Sequence, residues 1–123
     1  IPGIGRRQRQ MCIRDRYKPS AIIHLAGLQV PFCAADPALG ARVNVEGTIN
    51  ILQIAKEIKL KRTVYASSVA ALAMPPKGPW KETLYGAYKL ANEHTAYVYW
   101  ADWDVPQLVL GQILFMVLQE IRV

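Results

Sequence analysis

The sequence predicts an α/β fold in which a parallel sheet is wound with crossover helices. Three short apolar runs, at 21–26, 62–68 and 106–110, are separated by two long stretches of helical periodicity. That order of strand, helix, strand, helix, strand points to parallel strands joined by right-handed crossovers. The chain has 123 residues, 52% of them hydrophobic. This is the size of one domain with enough apolar mass for one core.

The run Ala21-Ile22-Ile23-His24-Leu25-Ala26, closed by Gly27, is nearly continuous and apolar. Such a run is expected of a strand buried on both faces of a parallel sheet. Asp36-Pro37 follows as an N-cap with proline at the first helical position. Leu39, Val43, Gly47, Ile51, Ile54 and Ile58 share one face at helical spacing, which predicts a helix of about five turns to Lys59 with its apolar stripe on those positions. Lysines in its last turns suit the helix dipole. The second strand, Arg62-Thr63-Val64-Tyr65-Ala66-Ser67-Ser68, turns from apolar to hydroxylic at its C-terminal end. Ligands bind at that end of the strands in open α/β sheets. Pro75, Pro76, Gly78 and Pro79 break the chain before a second helix from Leu84 to about Trp103, and Pro106 to Leu110 leads into the third strand.

The net charge of +6 suggests a polyanionic partner until its distribution is read. Arg6, Arg7, Arg9, Arg14 and Arg16, set against Asp15, place four of the six charges in residues 1–16. This leader, RRQRQMCIRDR from Arg6 to Arg16, has neither helical nor strand periodicity. It resembles the translation of a transposase adapter ligated onto DNA in sequencing libraries, so residues 1–16 are expected to be non-native. The remaining body carries too little charge to imply nucleic acid, and no such partner is expected. Cys12 and Cys33 make no disulfide framework, which fits a reducing, cytoplasmic setting. The apolar run at 108–118 is too short to span a bilayer, so no membrane partner is expected.

Tyr85 and Lys89 stand four apart and project from one face of the second helix. An ammonium beside a phenol stabilises the phenolate, bringing tyrosine toward general acid–base work. The spacing also arises by chance, and the alternative is a solvated helix face with a tyrosine covering the core. Ser68 lies at a strand end, where its hydroxyl can bond a substrate oxygen; alternatively it caps a turn. His24, inside an apolar strand, reads as a satisfied core histidine. His94 and Cys33 lack partners at metal-ligand spacing, and no metal is assigned. Tyr97, Tyr99, Trp100 and Trp103 read as helix packing, because no basic stripe interleaves them for base stacking.

Four motifs occur in order: H-L-A-G at 24–27, V-N-V-E-G-T at 43–48, V-Y-A-S-S at 64–68, and Y-G-A-Y-K at 85–89 followed by Asn92-Glu93. Together they resemble the extended short-chain dehydrogenase/reductase family, the NAD-dependent epimerase/dehydratase group, over about residues 17–110. The resemblance implies the second half of a Rossmann fold and hydride transfer between a carbinol or carbonyl and a nicotinamide, NAD or NADP. By matching position, Tyr85 is the expected acid/base, Lys89 the residue that tunes it and holds the nicotinamide ribose, and Ser68 the hydroxyl that orients substrate. Leu25, Ala26 and Gly27 match the strand-end stretch against the cofactor and Asn44 the family's helix asparagine, and with Ser67, Tyr85 and Lys89 they are the expected cofactor-binding residues.

The implied substrate is a nucleotide sugar or similar polyol, and the implied full-length parent is a possible homodimer through the two helices. The competing reading is a non-catalytic Rossmann-like nucleotide-binding or interaction module, against which Tyr85, Lys89 and Ser68 argue. The glycine-rich turn that seats a pyrophosphate is missing, for Gly3-Ile4-Gly5 has neither a preceding strand nor a third glycine. The residue that selects NAD or NADP is missing with it. Leu72-Ala73 stands where the family commonly has tyrosine and glycine. The chain is therefore expected to be an inactive fragment of its parent enzyme. Shifting the frame by one base at the end permits R-P-D-I-V-Y-G-P, the family's usual continuation, so residues 111–123 are expected to be frameshifted. Resequencing the source DNA near Leu110 should show one missing base; an intact reading frame there would refute the shift.

Overall fold

A computed structural model describes residues 16–73 and 81–111. The leader before Arg16, the breakers at 75–79 and the tail at 112–123 lie outside the described residues. Strand β1 (Ile22–His24) leads through α1 (Val30–Ala35) to a rod of α2 (Pro37–Ala41), a π turn (Arg42–Glu46) and α3 (Gly47–Glu57). Strand β2 (Thr63–Ala66), a 3-10 turn (Val69–Ala73), α4 (Leu84–Trp103) and β3 (Gln107–Leu110) complete the order. The sheet is parallel in the order β1-β2-β3, with Ile23 opposite Val64 and Val64 opposite Leu108.

Strand alternation puts Ile22, Tyr65 and Val109 on the face that packs against the helices. There they join Leu52, Ala55, Leu60, Ala96, Tyr99 and Val105 in one core. The opposite face is uncovered among the described residues: Ile23 is 68% and Leu108 56% exposed. Among the described residues the helices α3 and α4 pack on one face of the sheet.

Local chemistry explains the helix boundaries. Asp36 Oδ1 accepts the Leu39 N–H at 3.1 Å ahead of Pro37, and Thr83 Oγ1 accepts the Gly86 N–H at 3.0 Å. Both long helices end the same way. Lys59 (φ 53°) and Asp104 (φ 54°) take left-handed backbone conformations, and the next residues, Leu60 and Val105, donate back to the Ala55 and Tyr99 carbonyls and enter the core.

Two features depart from the sequence reading. Helix α1 has no periodic signal; its one buried residue is Cys33. The buried stripe of the rod also runs largely one residue later than the aliphatic stripe, through Gly40, Asn44, Thr48, Leu52 and Ala55. Leu39, Val43 and Ile51 flank it half-buried. Small and polar residues occupy the tightest contacts because neighbouring chain comes close. A Cβ at Gly40 would lie 3.0 Å from Cys33 Sγ and 3.1 Å from Tyr88 Cε2.

The tightest approach is at Gly86, where an added Cβ would lie 2.5 Å from the Ala70 carbonyl oxygen. Backbone of the 3-10 turn thus sits directly on the first turn of α4. Gly86→Ala should lower the stability of the chain by roughly 1–3 kcal/mol through overpacking, read as a lower urea midpoint. An unchanged midpoint would mean that the turn does not pack on α4.

Candidate active site at the carboxyl ends of the strands

Residues 25–27 leave the end of β1, Ser67 and Ser68 leave the end of β2, and the first two turns of α4 bring Tyr85 and Lys89 beside them. Both helix residues are buried, Lys89 to 6% exposure, so the solvated-face alternative does not hold. The Lys89 Nζ donates to the Ala66 carbonyl at 2.8 Å and stands 5.6 Å from the centre of the Tyr85 ring. It also lies 3.7 Å from the position of a Cβ added to Gly27, with Asn44 Oδ1 at 3.5 Å on the same side. Strand end, buried lysine and buried asparagine therefore converge where glycine leaves room.

Asn44 is 1% exposed. Its Oδ1 accepts the Leu28 N–H at 2.7 Å and its Nδ2 donates to the Leu28 carbonyl at 2.9 Å. Its own carbonyl accepts the Thr48 hydroxyl at 2.8 Å and Asn92 Nδ2 at 2.9 Å. Because the Thr48 proton goes to that carbonyl, the 3.1 Å bond between Thr48 Oγ1 and His24 Nε2 needs the proton on Nε2. His24 is thus the satisfied core histidine that its strand position suggests.

The hydroxyls divide their tasks. Ser68 Oγ accepts the Ala70 N–H at 3.2 Å and so caps the 3-10 turn; capping uses an oxygen lone pair at the strand end where a substrate oxygen is expected. Ser67 donates its hydroxyl to Glu93 of α4, and its N–H to the Leu110 carbonyl. Its hydroxyl is thus tied to α4 and its N–H to β3. Thr48, Asn92 and Glu93 join this framework without having been assigned a role from sequence. Their only signal was membership of the two motifs at 43–48 and 85–93, since the partners they serve are distant in the chain.

Burial sets the electrostatics. It lowers Lys89 from its ordinary value, with Cys33 partly opposing. Burial raises the Cys33 thiol, against smaller opposing effects of Lys89 and the Asn44 hydrogen bond. The Tyr65 phenol is pushed up by burial and then by Glu93. Among the described residues no group of three His, Cys, Asp or Glu could hold a metal, and no helix is long and apolar enough to cross a membrane.

A three-stranded parallel sheet with crossover helices is the architecture of a Rossmann-type fold, and here a tyrosine, a lysine and a serine stand at its carboxyl end. Over residues 5–111 the chain matches the NAD dependent epimerase/dehydratase family, and it belongs to that family. It is 33% identical over 86 residues to UDP-glucose 4-epimerase of Mycolicibacterium smegmatis, covering 63% of this chain and 28% of that protein. Among solved structures it resembles L-threonine dehydrogenase from Clostridium difficile, with a TM-score of 0.73 and 29% identity over 85% of this chain and 35% of that one. UDP-glucose 4-epimerase from Brucella ovis, solved in complex with NAD, matches with a TM-score of 0.73 and 26% identity over the same shares. The chain thus spans about a third of the length of these relatives.

The residues present fit the ribose and nicotinamide side of such a cofactor. A Cβ at Gly27 would stand in ordinary contact with Asn44 Oδ1 at 3.5 Å and Lys89 Nζ at 3.7 Å, so the exposed strand end lies directly beside a lysine donor and a buried amide. A glycine-rich turn opening onto a helix N-terminus, which would seat the pyrophosphate, is not among the described residues.

The environment of His24 has a measurable consequence. Burial first, and the Lys89 charge second, hold its imidazole below the ordinary value of 6.5. As pH falls, the unfolded chain takes up this proton before the folded one, so the contribution of His24 to stability is complete above about 6.5 and declines below it. Urea unfolding should show that acid limb, and His24→Gln should flatten it. A limb unchanged in the variant would remove His24 as its source.

Proposed function

We propose that this chain carries the proton-handling part of an NAD(P)-dependent epimerase, dehydratase or dehydrogenase, acting on a nucleotide sugar or similar hydroxyl or carbonyl compound. The observation that carries the reading is the convergence of Tyr85, Lys89 and the Asn44-held strand end around Gly27. A pure binding module has no need to bury a lysine within 5.6 Å of a tyrosine ring.

When bound, the nicotinamide supplies the hydride acceptor or donor. The chain's own residues do the rest. The phenol of Tyr85 receives the substrate's hydroxyl proton as the carbinol becomes a carbonyl, and returns it in the reverse direction. Ser68, at the end of β2, hydrogen-bonds the same oxygen and aims it at Tyr85. Lys89 is held by the Ala66 carbonyl through one of its N–H groups; its remaining donors would hold the ribose of the cofactor. The exposed backbone of residues 25–27 would bind its nicotinamide side.

The relatives support one substrate feature in particular. UDP-glucose and L-threonine, named in the relatives' own descriptions, share a secondary alcohol. That is the group which a tyrosine–serine pair can deprotonate while its carbon loses hydride.

In a version of the protein extended to the length of its relatives, Tyr85→Phe should keep cofactor affinity and lose turnover by about 10²–10⁴-fold, the ordinary worth of a positioned acid–base group. Calorimetry with NADH and NADPH, together with a turnover assay on UDP-glucose, checks both halves. Retained turnover in the phenylalanine variant would overturn the role of Tyr85. Cofactor binding without turnover in the parent would favour the binding module.

A further inference from the structure

Asn92 is 1% exposed and lies one helical turn beyond Lys89 on α4. Its Nδ2 donates to the Asn44 backbone carbonyl at 2.9 Å, across 48 residues of chain. The direction of this amide is forced. Rotating it would set Oδ1 against a carbonyl oxygen, acceptor against acceptor. As oriented, Oδ1 is buried with no hydrogen-bond partner, a condition that costs free energy. The fold accepts that cost at a position where a small apolar residue would leave nothing unsatisfied on α4, so the contact made by the N–H end is what the residue supplies.

What it grips is the π turn. That turn is closed by Gly47 N–H to the Arg42 carbonyl, and π insertions in helices are frequent at functional sites. The side chain of Asn44, in the same turn, holds both backbone polar groups of Leu28. Helix α4 is consequently pinned at two points one turn apart: Lys89 to the Ala66 carbonyl at the end of β2, and Asn92 to the turn that carries the end of β1. Apolar packing is non-directional and lets a helix slide or rotate by fractions of an ångström. Two hydrogen bonds to different elements do not.

We propose that Asn92 is a positioning residue: by holding the Asn44 carbonyl it sets the placement of the residue 25–28 strand end relative to Lys89. This rests on the reading that Gly27 and Lys89 face the cofactor. Asn92 itself touches neither substrate nor cofactor.

The test uses the ¹⁵N-labelled chain, with amide exchange of Leu28 as the direct reporter of the Asn44 grip and NADH and NADPH titrations as the functional one. Asn92→Leu should leave exchange of the core amides of Leu52 and Tyr65 unchanged, speed Leu28 exchange at least tenfold, and weaken NADH binding about tenfold. Asn92→Asp keeps the side-chain shape but cannot donate when ionised. It should release Leu28 at pH 7 and protect it again as the pH is lowered and the carboxyl regains an O–H donor. Exchange of Leu28 at the parent rate in Asn92→Leu overturns the proposal, as does that result in Asn92→Asp at pH 7 if the leucine variant does not fold. Release of Leu28 with unchanged NADH affinity overturns it as well. If the parent chain binds neither NADH nor NADPH while Leu28 exchange still depends on Asn92, the functional reading fails and the positioning role stands.

Discussion

Each polar group of the Asn44 side chain meets a partner, and its carbonyl meets two further side-chain donors. A buried amide left unpaired would cost several times the net worth of one ordinary hydrogen bond, and the backbone of Leu28, leaving the sheet, has no strand to pair with. The two needs are met by each other. That mutual satisfaction fixes the rod of α2, π turn and α3 against the end of β1, and every other element of the site takes its place from that junction. Thr48 reaches His24 from it, Asn92 brings α4 to it, and Gly27 stays open beside it.

The parts of this arrangement that are legible in the sequence are those with local causes. The Asp36-Pro37 cap, the extent of α4 and the parallel order of strands follow from neighbours in the chain. The Tyr85–Lys89 pair could be found by its spacing, although its burial could not. Helix α1 was invisible because a six-residue helix has little stability of its own; Cys33 holds it against Gly40, and the signal is a tertiary contact. The buried stripe of the rod departs from its aliphatic stripe for a related reason. Hydrophobicity marks Leu39, Val43 and Ile51, but the closest approach to other chain selects glycine, asparagine and threonine, which a hydrophobic count does not favour. Likewise Ser67 is paired with Glu93 across 26 residues, a separation that no local pattern encodes.

The site also shows where stability is given up. Burial that lowers Lys89 means that the charged form is costlier in the fold than in water, so this lysine opposes folding at neutral pH and opposes it less as the pH rises toward 10.5. An apolar residue of similar volume would avoid that cost but would leave the Ala66 carbonyl without its donor. In the proposed reading the amine is kept for what it does to a ligand, the use to which perturbed titratable groups are commonly put.

Two quite different enzymes match this chain at nearly equal similarity. A UDP-glucose epimerase and an L-threonine dehydrogenase align with the same TM-score of 0.73, although one name refers to a sugar nucleotide and the other to an amino acid. In the proposed reading Tyr85, Ser68 and Lys89 address only a reacting oxygen and a ribose, and none of them contacts the remainder of a substrate. Groups of that kind are indifferent to what is attached to the carbinol. Discrimination between such substrates then falls to side chains that meet the rest of the molecule, and in the proposed reading the 3-10 turn that follows Ser68 is the candidate for that role. Leu72 in that turn is exposed and lies six residues beyond Ala66, the last residue of β2. The turn rests on Gly86, next to Tyr85, so in this reading the group that discriminates and the group that moves the proton are held in register by backbone contact.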